Sequence, residues 1–275
     1  MARGFGYISR ETPLHKLNGV TKLLLVLLMS VAVMVSYDTR FLIFIVIASL
    51  ALFRVARIKF SDLRALFLFI AVFMLINTLL IFLFAPNQGT VVYGTKHIIT
   101  HLFGGYDLTQ EQLFYQLNVV LKYFAILPIA LIFITTTEPS EFASSLNRIG
   151  VPYKAAYSVA LTMRYIPDVQ RDFREISQSQ QARGIDISKN VHLAKRVKNV
   201  SSILMPLVFT SLDRIDVITN AMALRSFGKY KKRTWYRARP LAKADVVVII
   251  IAFCLVGIAA GLIVVNGGRF YNPFK

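Results

Sequence analysis

The side chains of this sequence that could do catalytic or metal chemistry stand in two small groups. Asp213 and Asp216 form a D-x-x-D pair, and His97 and His101 have the four-residue spacing of a helical zinc ligand pair. Arg214 stands inside the aspartate pair, glycines surround the histidines, and we find no further carboxylate or cysteine at ligand spacing. We therefore interpret the aspartates as part of a solvated helix face and the histidines as part of a loop, and we predict neither a metal site nor a catalytic residue.

Nucleotide chemistry is not predicted for this chain either. The phosphate-binding pattern G-x-x-x-x-G-K-[ST] does not occur, and Gly94-Thr95-Lys96 has neither its spacing nor its hydroxyl partner. We therefore expect no bound cofactor and no ATP hydrolysis by the chain itself. A multi-pass membrane enzyme is the main rival class, and it would require paired carboxylates, metal ligands or an activated nucleophile at membrane depth.

A stand-alone permease or channel is the second rival class, because such proteins carry ionisable residues along a path through the membrane. Lys122 lies well inside a predicted span. Three explanations stay open for it: a transport path, snorkelling from a shifted span, or pairing with an acceptor such as Asn77. We favour the pairing.

Two arginines occupy matching places at the ends of long predicted helices. Their tripeptides are Ala182-Arg183-Gly184 and Leu224-Arg225-Ser226. A cation at a helix C-terminus interacts favourably with the helix dipole by roughly 0.3–1 kcal/mol, and on spacing alone this ordinary role is favoured over a functional one. Arginine also carries a rigid five-donor fork that can bind carboxylates or carbonyls of a second protein, and small neighbouring residues leave room for that partner.

The composition indicates that these residues belong to a membrane protein. The chain has 275 residues, of which 56% are hydrophobic, and a formal net charge of +18, a combination that is rare in soluble domains. The charge avoids the long apolar stretches, so it indicates a membrane rather than nucleic acid. The basic and aromatic run over residues 229–239 precedes an apolar stretch and is interpreted as an anchor at the inner leaflet. The single cysteine, Cys254, is interpreted as a small hydrophobic residue.

Five apolar stretches are candidates for membrane-spanning helices, which need roughly 17–25 residues. They are residues 20–36, 41–55, 63–84, 113–136 and 245–265. The segments predicted to be cytoplasmic contain 27 of the 32 Lys and Arg residues and the opposite side contains 4, in agreement with the positive-inside rule. We therefore predict a cytoplasmic N-terminus, an external C-terminus and an external loop over residues 85–112.

The predicted fold class is an all-α integral membrane protein with about five transmembrane helices and a cytoplasmic module of long amphipathic helices. Its parts are an N-terminal membrane part (1–136), the cytoplasmic module (137–243) and a last span with an external tail (244–275). In the module a short helix ends at Gly150, and two long helices cover about residues 153–183 and 191–225. Helices of this length bury one face, either against each other and the membrane surface or against a partner protein.

Around the two arginines the sequence resembles the transmembrane (T) component of energy-coupling factor (ECF) transporters, the vitamin and metal importers of prokaryotes. Residues 177–184 resemble the family's first coupling motif with its Ala-Arg-Gly, and residues 221–228 resemble the second. Three shorter segments are also similar to the family: 12–18 in the N-terminal arm, 137–141 at the start of the first coupling helix, and 164–167 in an Arg-aromatic-apolar-Pro segment. The sequence departs from the family at Leu224, where alanine is common, and in residues 18–22, which lack a proline and an arginine often found there. The resemblance covers most of the chain and is densest from 130 to 230.

The resemblance implies an assembly and a mechanism. Two cytoplasmic ATP-binding cassette ATPase subunits bind the T component in the cell membrane, with Arg183 and Arg225 each seated in a groove of one subunit. A separate membrane-embedded S component captures the substrate and rests on the apolar surface of the coupling helices. ATP binding and hydrolysis move the ATPases, the helices follow, and the S component releases its cargo. The resemblance implies neither which substrate is carried nor whether the two ATPases are identical.

Overall fold

The chain divides into two compact units, each of which is described by itself. The computed structural model describes residues 12–58, 64–101, 107–185, 192–230, 234–235 and 239–274. The membrane unit comprises Met1–Glu138 and Arg239–Lys275, and the helical unit comprises Pro139–Ala238. The chain therefore passes between the two units twice, after residue 138 and before residue 239.

Most of the described residues are helical and the strands among them are two short ones, which confirms the predicted all-α class. The membrane unit contains α1 (Pro13–Lys16), α2 (Gly19–Val35), α3 (Thr39–Val55), α4 (Arg64–Phe84), α5 (Gln88–Tyr93), the antiparallel strands β1 (Ile98–His101) and β2 (Asp107–Thr109), α6 (Gln110–Thr136) and α10 (Lys243–Val265). The helical unit contains α7 (Pro139–Arg148), α8 (Tyr153–Ala182) and α9 (Leu193–Leu224). Pro128, Pro167 and Pro206 lie inside α6, α8 and α9, and each helix continues through its proline.

Three of the described helices are long and apolar enough to cross a membrane. They are Leu66–Phe84, Gln110–Thr136 and Lys243–Val265. The first two predicted spans fall on α2 and α3, which have 17 residues each. A helix of that length extends about 25 Å, near the lower limit for a hydrocarbon core of about 30 Å. The total of five spans therefore stays a prediction.

Small side chains allow the helices of the membrane unit to approach each other closely. α2 packs against α6 and α10, and α3 packs against α6. The buried core consists of Met29, Ala32, Val33, Phe41, Leu42, Ile45, Ala125, Ile129, Ala252 and Ala259. Its four alanines come from three of these helices, as expected where packing between membrane helices depends on close contact. None of the apolar stretch of α4 is buried inside the unit, so its side chains are available to lipid.

The region predicted as an external loop contains α5 and the β1–β2 hairpin, so it is not irregular throughout, and its external position stays a prediction. Aromatic rings from distant parts of the chain gather there. The rings of Phe270 and Tyr37 stack with their centroids 4.4 Å apart, and Phe274 meets Tyr93 edge to face at 5.9 Å. The Tyr37 amide also donates to the carbonyl of Arg269 at 2.9 Å. These contacts fold the C-terminal segment over the α2–α3 turn and α5, and burial raises the pKa of Tyr93 to about 12.

Two of the glycines that suggested a loop have other roles. Gly94 has φ +73° and ends α5 in the left-handed region, where glycine is unstrained. Gly89 lies so close to the main chain of Gln112 that an added Cβ would collide with it. Its amide donates to Oε1 of Gln112 at 2.7 Å, which holds α5 against α6.

Both histidines of this region have carboxylate partners, contrary to our expectation from the sequence. Nδ1 of His97 lies 2.6 Å from Oε1 of Glu111, and Nδ1 of His101 lies 2.7 Å from Oδ1 of Asp107. Lys96 Nζ donates to Oδ2 of Asp107 at 2.7 Å, and the hydrogen bonds from Lys96 and His101 hold the pKa of Asp107 below its usual range. The hairpin creates these pairs, which spacing alone did not indicate. Among the residues that the structure describes, no three His, Cys, Asp or Glu side chains form a group that could hold a metal ion.

The amine of Lys122 pairs with an acceptor, as favoured from the sequence, but the acceptor is a main-chain carbonyl rather than Asn77. It donates to the carbonyl of Met34 at 2.9 Å, near the C-terminal end of α2, and lies 3.0 Å from the centroid of the Tyr37 ring. Lys122 and Met34 are 88 positions apart, so no local pattern could have indicated the contact.

Candidate docking site

The helices α8 and α9 pair in antiparallel orientation. Near their middles, the Arg214 guanidinium donates to Oδ2 of Asp172 at 2.7 Å. Beyond the end of α9, the Phe227 ring lies 4.8 Å from the ring of Tyr157, close to the start of α8. Because the contacts move toward the start of α8 as the chain approaches the end of α9, the two helices run in opposite directions. Their C-terminal ends, which carry the arginine motifs, therefore point apart.

The first motif lies on a Schellman turn that ends α8. Arg183 is the C-cap residue, and Gly184 follows in the left-handed region with φ +83°. The amide of Ile185 donates to the carbonyl of Gln180, and the amide of Gly184 donates to that of Gln181, both at 3.0 Å. Gly184 thus occupies the C′ position, where glycine is favoured.

The second motif ends α9 with the same geometry. Arg225 is the C-cap residue, and Ser226 adopts the left-handed region with φ +56°. The amide of Phe227 donates to the carbonyl of Met222 at 3.0 Å, which is the same turn as at the end of α8. This conformation costs an L-residue roughly 1–2 kcal/mol, so the repeated geometry could not be predicted from a serine.

Both motifs are exposed on the helical unit. The exposed residues are Ala182, Arg183, Gly184, Leu224, Arg225 and Ser226. Leu224 has 88% of its surface exposed, so an apolar side chain and a guanidinium stand next to each other at this end. An added Cβ at Gly184 would meet nothing within 4 Å, so the main chain of the first motif is open to close approach.

The two arginines are far apart on the helix pair. Arg183 follows Asp172 by 11 residues and Arg225 follows Arg214 by the same number, in opposite directions from the ion pair. At 1.5 Å per residue this places the two motifs on the order of 30 Å apart. They therefore offer two separate contact points rather than one site.

Aromatic side chains hold the end of α9 against the start of α8. The Phe227 ring lies 5.5 Å from the ring of Tyr153 and 4.8 Å from that of Tyr157. Trp235 lies 6.3 Å from Tyr157, and its indole N–H donates to Oδ1 of Asn147 at 3.1 Å. Trp235, which the sequence analysis assigned to a basic membrane anchor, thus packs within the helical unit. The sequence does not indicate this cluster, because its rings come from separate segments.

An apolar surface remains uncovered on α8 and α9. Its exposed side chains include Met163, Ile166, Phe173, Leu204, Val208, Leu212 and Ile215. A groove of about 610 Å³ lies between the two helices and is lined in part by Tyr165, Ile166, Ile215, Ile218 and Met222. Exposed apolar side chains gathered beside a groove in this way indicate an interaction with a membrane or a protein.

The aspartate pair of α9 is not part of a reactive site in the described structure. Asp213 and Asp216 are both exposed, and Arg214 between them turns to Asp172 on α8. The interpretation of the pair as a solvated helix face is therefore confirmed.

Comparison with known proteins agrees with this geometry. Residues 10–236 match the CbiQ family, which is described as cobalt transport protein. The match includes both arginine motifs and all three helices of the helical unit. This chain belongs to that family.

The CbiQ-family chain is also similar to proteins named energy-coupling factor transporter transmembrane protein EcfT. The protein from Clostridium kluyveri is 25% identical over 92% of this chain and 93% of its own length. The protein from Exiguobacterium sibiricum is 24% identical over 71% of this chain and 73% of its own length. The resemblance to the ECF T component, first drawn from the motifs, is therefore confirmed, and the chain is a membrane transport protein of the prokaryotic type.

A third relative of this CbiQ-family T component differs in size. It comes from Bifidobacterium longum, and its name describes an ABC transporter ATP-binding protein. It is 27% identical over 62% of this chain, but the similar region is 22% of its own length. The rest of that protein lies outside the similarity.

Proposed function

We propose that this T component couples ATP hydrolysis by two cytoplasmic ATP-binding cassette ATPase subunits to motion of a membrane-embedded S component during uptake of a vitamin or metal ion. The observation that carries the proposal is the repeated helix end. Two antiparallel helices of 30 and 32 residues each end in an exposed arginine followed by a left-handed residue. ATP hydrolysis belongs to the partner subunits in this proposal, and the S component selects the cargo.

The chemistry of the motifs suits the docking of folded partners. A Schellman turn fixes the main chain on both sides of each arginine, so the guanidinium projects from a defined position. Its fork can bind carboxylates or main-chain carbonyls in a groove of the partner with two parallel hydrogen bonds. The first docking point consists of Ala182, Arg183 and Gly184, and the second of Leu224, Arg225 and Ser226. A separation on the order of 30 Å allows two subunits to bind at the same time.

The apolar surface of α8 and α9 suits the S component. Side chains such as Val208 and Leu212 are about half exposed there, and apolar contacts are not directional. A membrane partner can therefore rest on this surface and still change its orientation when the helices move. The relative from Bifidobacterium longum supports the ATPase association, because a region similar to this chain occurs within a protein named as ATP-binding.

We also propose that the N-terminus is cytoplasmic and the C-terminus external. The amide of Asn18 donates to Asp245 at the starts of α2 and α10, and Asn266 donates to Asp38 at their ends, both at 2.8 Å. α2 and α10 therefore run parallel, whereas the last residue of α6, Thr136, lies beside the first turn of α2. This arrangement agrees with five alternating spans, and the excess of Lys and Arg identifies the cytoplasmic side.

The docking role can be tested with a double variant, Arg183→Ala with Arg225→Ala. The tagged wild-type chain, purified in mild detergent, should bring two ATPase subunits and a small, very hydrophobic membrane protein. The double variant should insert in the membrane normally and lose the ATPases, because truncation of a docked arginine commonly costs about 2 kcal/mol or more. Arg174→Ala, an exposed arginine of α8 outside both motifs, is the matched control and should keep the subunits.

Two outcomes would count against the proposal. Unchanged co-purification of the ATPases with the double variant would remove the docking role of the arginines. A wild-type chain that purifies alone and still binds or converts a small molecule would favour the permease or enzyme class.

A further inference from the structure

The chain passes between its two units twice. On the membrane-unit side, each of these passages starts or ends beside the first turn of α2. One passage follows α6, which ends at Thr136, two residues before the membrane unit ends at Glu138. The other leads back through Arg239 to the start of α10. Residues 18–22 form this first turn and its cap, and no functional role was predicted for them beyond the start of the first span.

Lys22 holds the first passage. Its Nζ donates to the carbonyl of Thr136 at 2.9 Å, and only 5% of the residue is exposed. Thr136 is the last residue of α6, so its carbonyl lacks a partner within the helix. The ammonium group supplies that partner and also complements the negative end of the helix dipole. This hydrogen bond therefore joins the last turn of α6 to the first turn of α2.

Asn18 holds the second passage. Its Nδ2 donates to the carbonyl of Arg239 at 2.8 Å, while its main-chain N–H donates to Oδ1 of Asp245 at 2.8 Å. Asp245 is 2% exposed, and its second oxygen accepts from the Ala242 amide at 2.8 Å. The side-chain oxygen of Asn18 also accepts from the amide of Val20 and so caps α2. Asn18 thus caps the start of α2 and binds both ends of the segment 239–245.

An equivalent contact at the other end of the membrane unit offers a control. Lys122 of α6 donates to the carbonyl of Met34 near the end of α2 at 2.9 Å. Each of the two antiparallel helices therefore has a buried lysine that binds a carbonyl near the C-terminal end of the other. The Lys122 contact lies away from both passages, so its loss tests helix packing alone.

We propose that Asn18 and Lys22 are positioning residues that anchor both passages of the chain to the first turn of α2. Motion of the helical unit is then transmitted to the membrane helices at this turn. Helix ends fray easily, and an unsupported last turn of α6 would unwind under a displacement applied beyond Glu138. With Thr136 and Arg239 both bound to one turn, the displacement moves the spans as rigid bodies. This inference rests on the proposed coupling function, since it concerns how the motion of the helical unit enters the membrane unit.

The test is hydrogen exchange on the purified complex of the full chain with its ATPases, in MgATP and in MgADP. In the wild type, exchange of peptides covering residues 131–138 and 242–248 should not depend on the nucleotide. In Lys22→Met, ATP turnover should increase exchange over 131–138 by about fivefold or more, the lower end of common coupling effects. Asn18→Ser keeps a capping hydroxyl and the main-chain N–H bound to Asp245, but it loses the side-chain donor to the Arg239 carbonyl. The chain leading into α10 is then held less firmly, so this variant should show the same ATP-dependent increase over 242–248.

Lys122→Met is the matched control, because it removes the same kind of hydrogen bond. It should raise exchange near the end of α2 equally in both nucleotides. The inference would be overturned if exchange over residues 131–138 in Lys22→Met were equal in MgATP and MgADP. It would also be overturned if Lys122→Met showed an ATP-dependent increase of the same size. A wild-type chain that purifies without ATPases would instead count against the proposed function, so the two failures are distinguishable.

Discussion

Replacing Ser226 by glycine should tighten the end of α9, because a side chain occupies the left-handed position there. Ser226 has φ +56°, and Gly184 holds the same place at the end of α8 with φ +83°. The left-handed region costs an L-residue roughly 1–2 kcal/mol, whereas glycine loses roughly 0.5–1 kcal/mol of additional backbone entropy on folding. The difference is a stabilisation of about 0.5–1 kcal/mol, which lowers the population of the locally opened end about two- to fivefold.

Hydrogen exchange measured by mass spectrometry on the purified chain is the suitable assay, since the effect is local. Peptides covering residues 222–228 should exchange more slowly in Ser226→Gly by that factor. Gly184→Ser places a side chain at φ +83° and should accelerate exchange over 179–185 by a comparable factor. It should also weaken ATPase binding at the first docking point, because the main chain at Arg183 becomes less fixed.

Ser201→Gly is the control for the substitution itself. Ser201 is exposed inside α9, where glycine disfavours the helix, so exchange there should become faster rather than slower. The reasoning is refuted if Ser226→Gly exchanges as fast as the wild type or faster over 222–228. That result would mean that the serine side chain stabilises the turn by more than its conformational cost.

Two further predictions concern the end of the membrane unit that is proposed to be external. Lys96 should react with a membrane-impermeant amine reagent in intact cells, because its side chain is half exposed beside Asp107 and lies on the proposed external side. Lys96→Arg should remove this label, and labelling only after permeabilisation would contradict the orientation. The β1–β2 hairpin should lose protection in acid, because hydrogen bonds from Lys96 and His101 lower the pKa of Asp107 in the folded state. Because the pKa of Asp107 is lower in the folded than in the unfolded state, its ionised carboxylate stabilises the hairpin at pH values above the ordinary carboxyl pKa. This contribution is lost as the pH falls below about 4. Amide protection factors over residues 98–101 as a function of pH measure the effect, and Asp107→Asn should abolish that acid-dependent loss.

The membrane helices could be predicted because their evidence is local. An apolar run of about 20 residues identifies a span without reference to the rest of the chain, and α4, α6 and α10 contain the third, fourth and fifth predicted spans. The contacts around α5 and the β1–β2 hairpin could not be predicted, because they join distant positions. Phe270 stacks on Tyr37, and Lys122 binds the carbonyl of Met34 across 88 positions. Neither apolar periodicity nor charge counting includes such pairs.

The main-chain geometry of the two arginine motifs could be predicted in part, and the difference lies in one residue type. Glycine after Arg183 favours a left-handed helix end, so the turn at Gly184 follows from general conformational preferences. Serine has no such preference, and the same turn at Ser226 is visible only in the structure. The docking role proposed for the arginines comes from the resemblance to a family, because a cation at a helix end is common for electrostatic reasons alone.

The two docking points have the same local geometry but are connected differently to the rest of the helical unit. Arg225 is followed after one residue by Phe227, which packs on the start of α8, so a displacement there reaches α8 directly. Arg183 stands 11 residues beyond the Asp172–Arg214 ion pair, so a displacement there reaches α9 through a longer helical segment. Ser177 within this segment is buried, but the segment between the docking point and the ion pair is longer, and a longer segment bends more under the same force. The second docking point should therefore transmit motion more stiffly than the first, and two ATPase subunits bound at equivalent helix ends need not contribute equally to coupling.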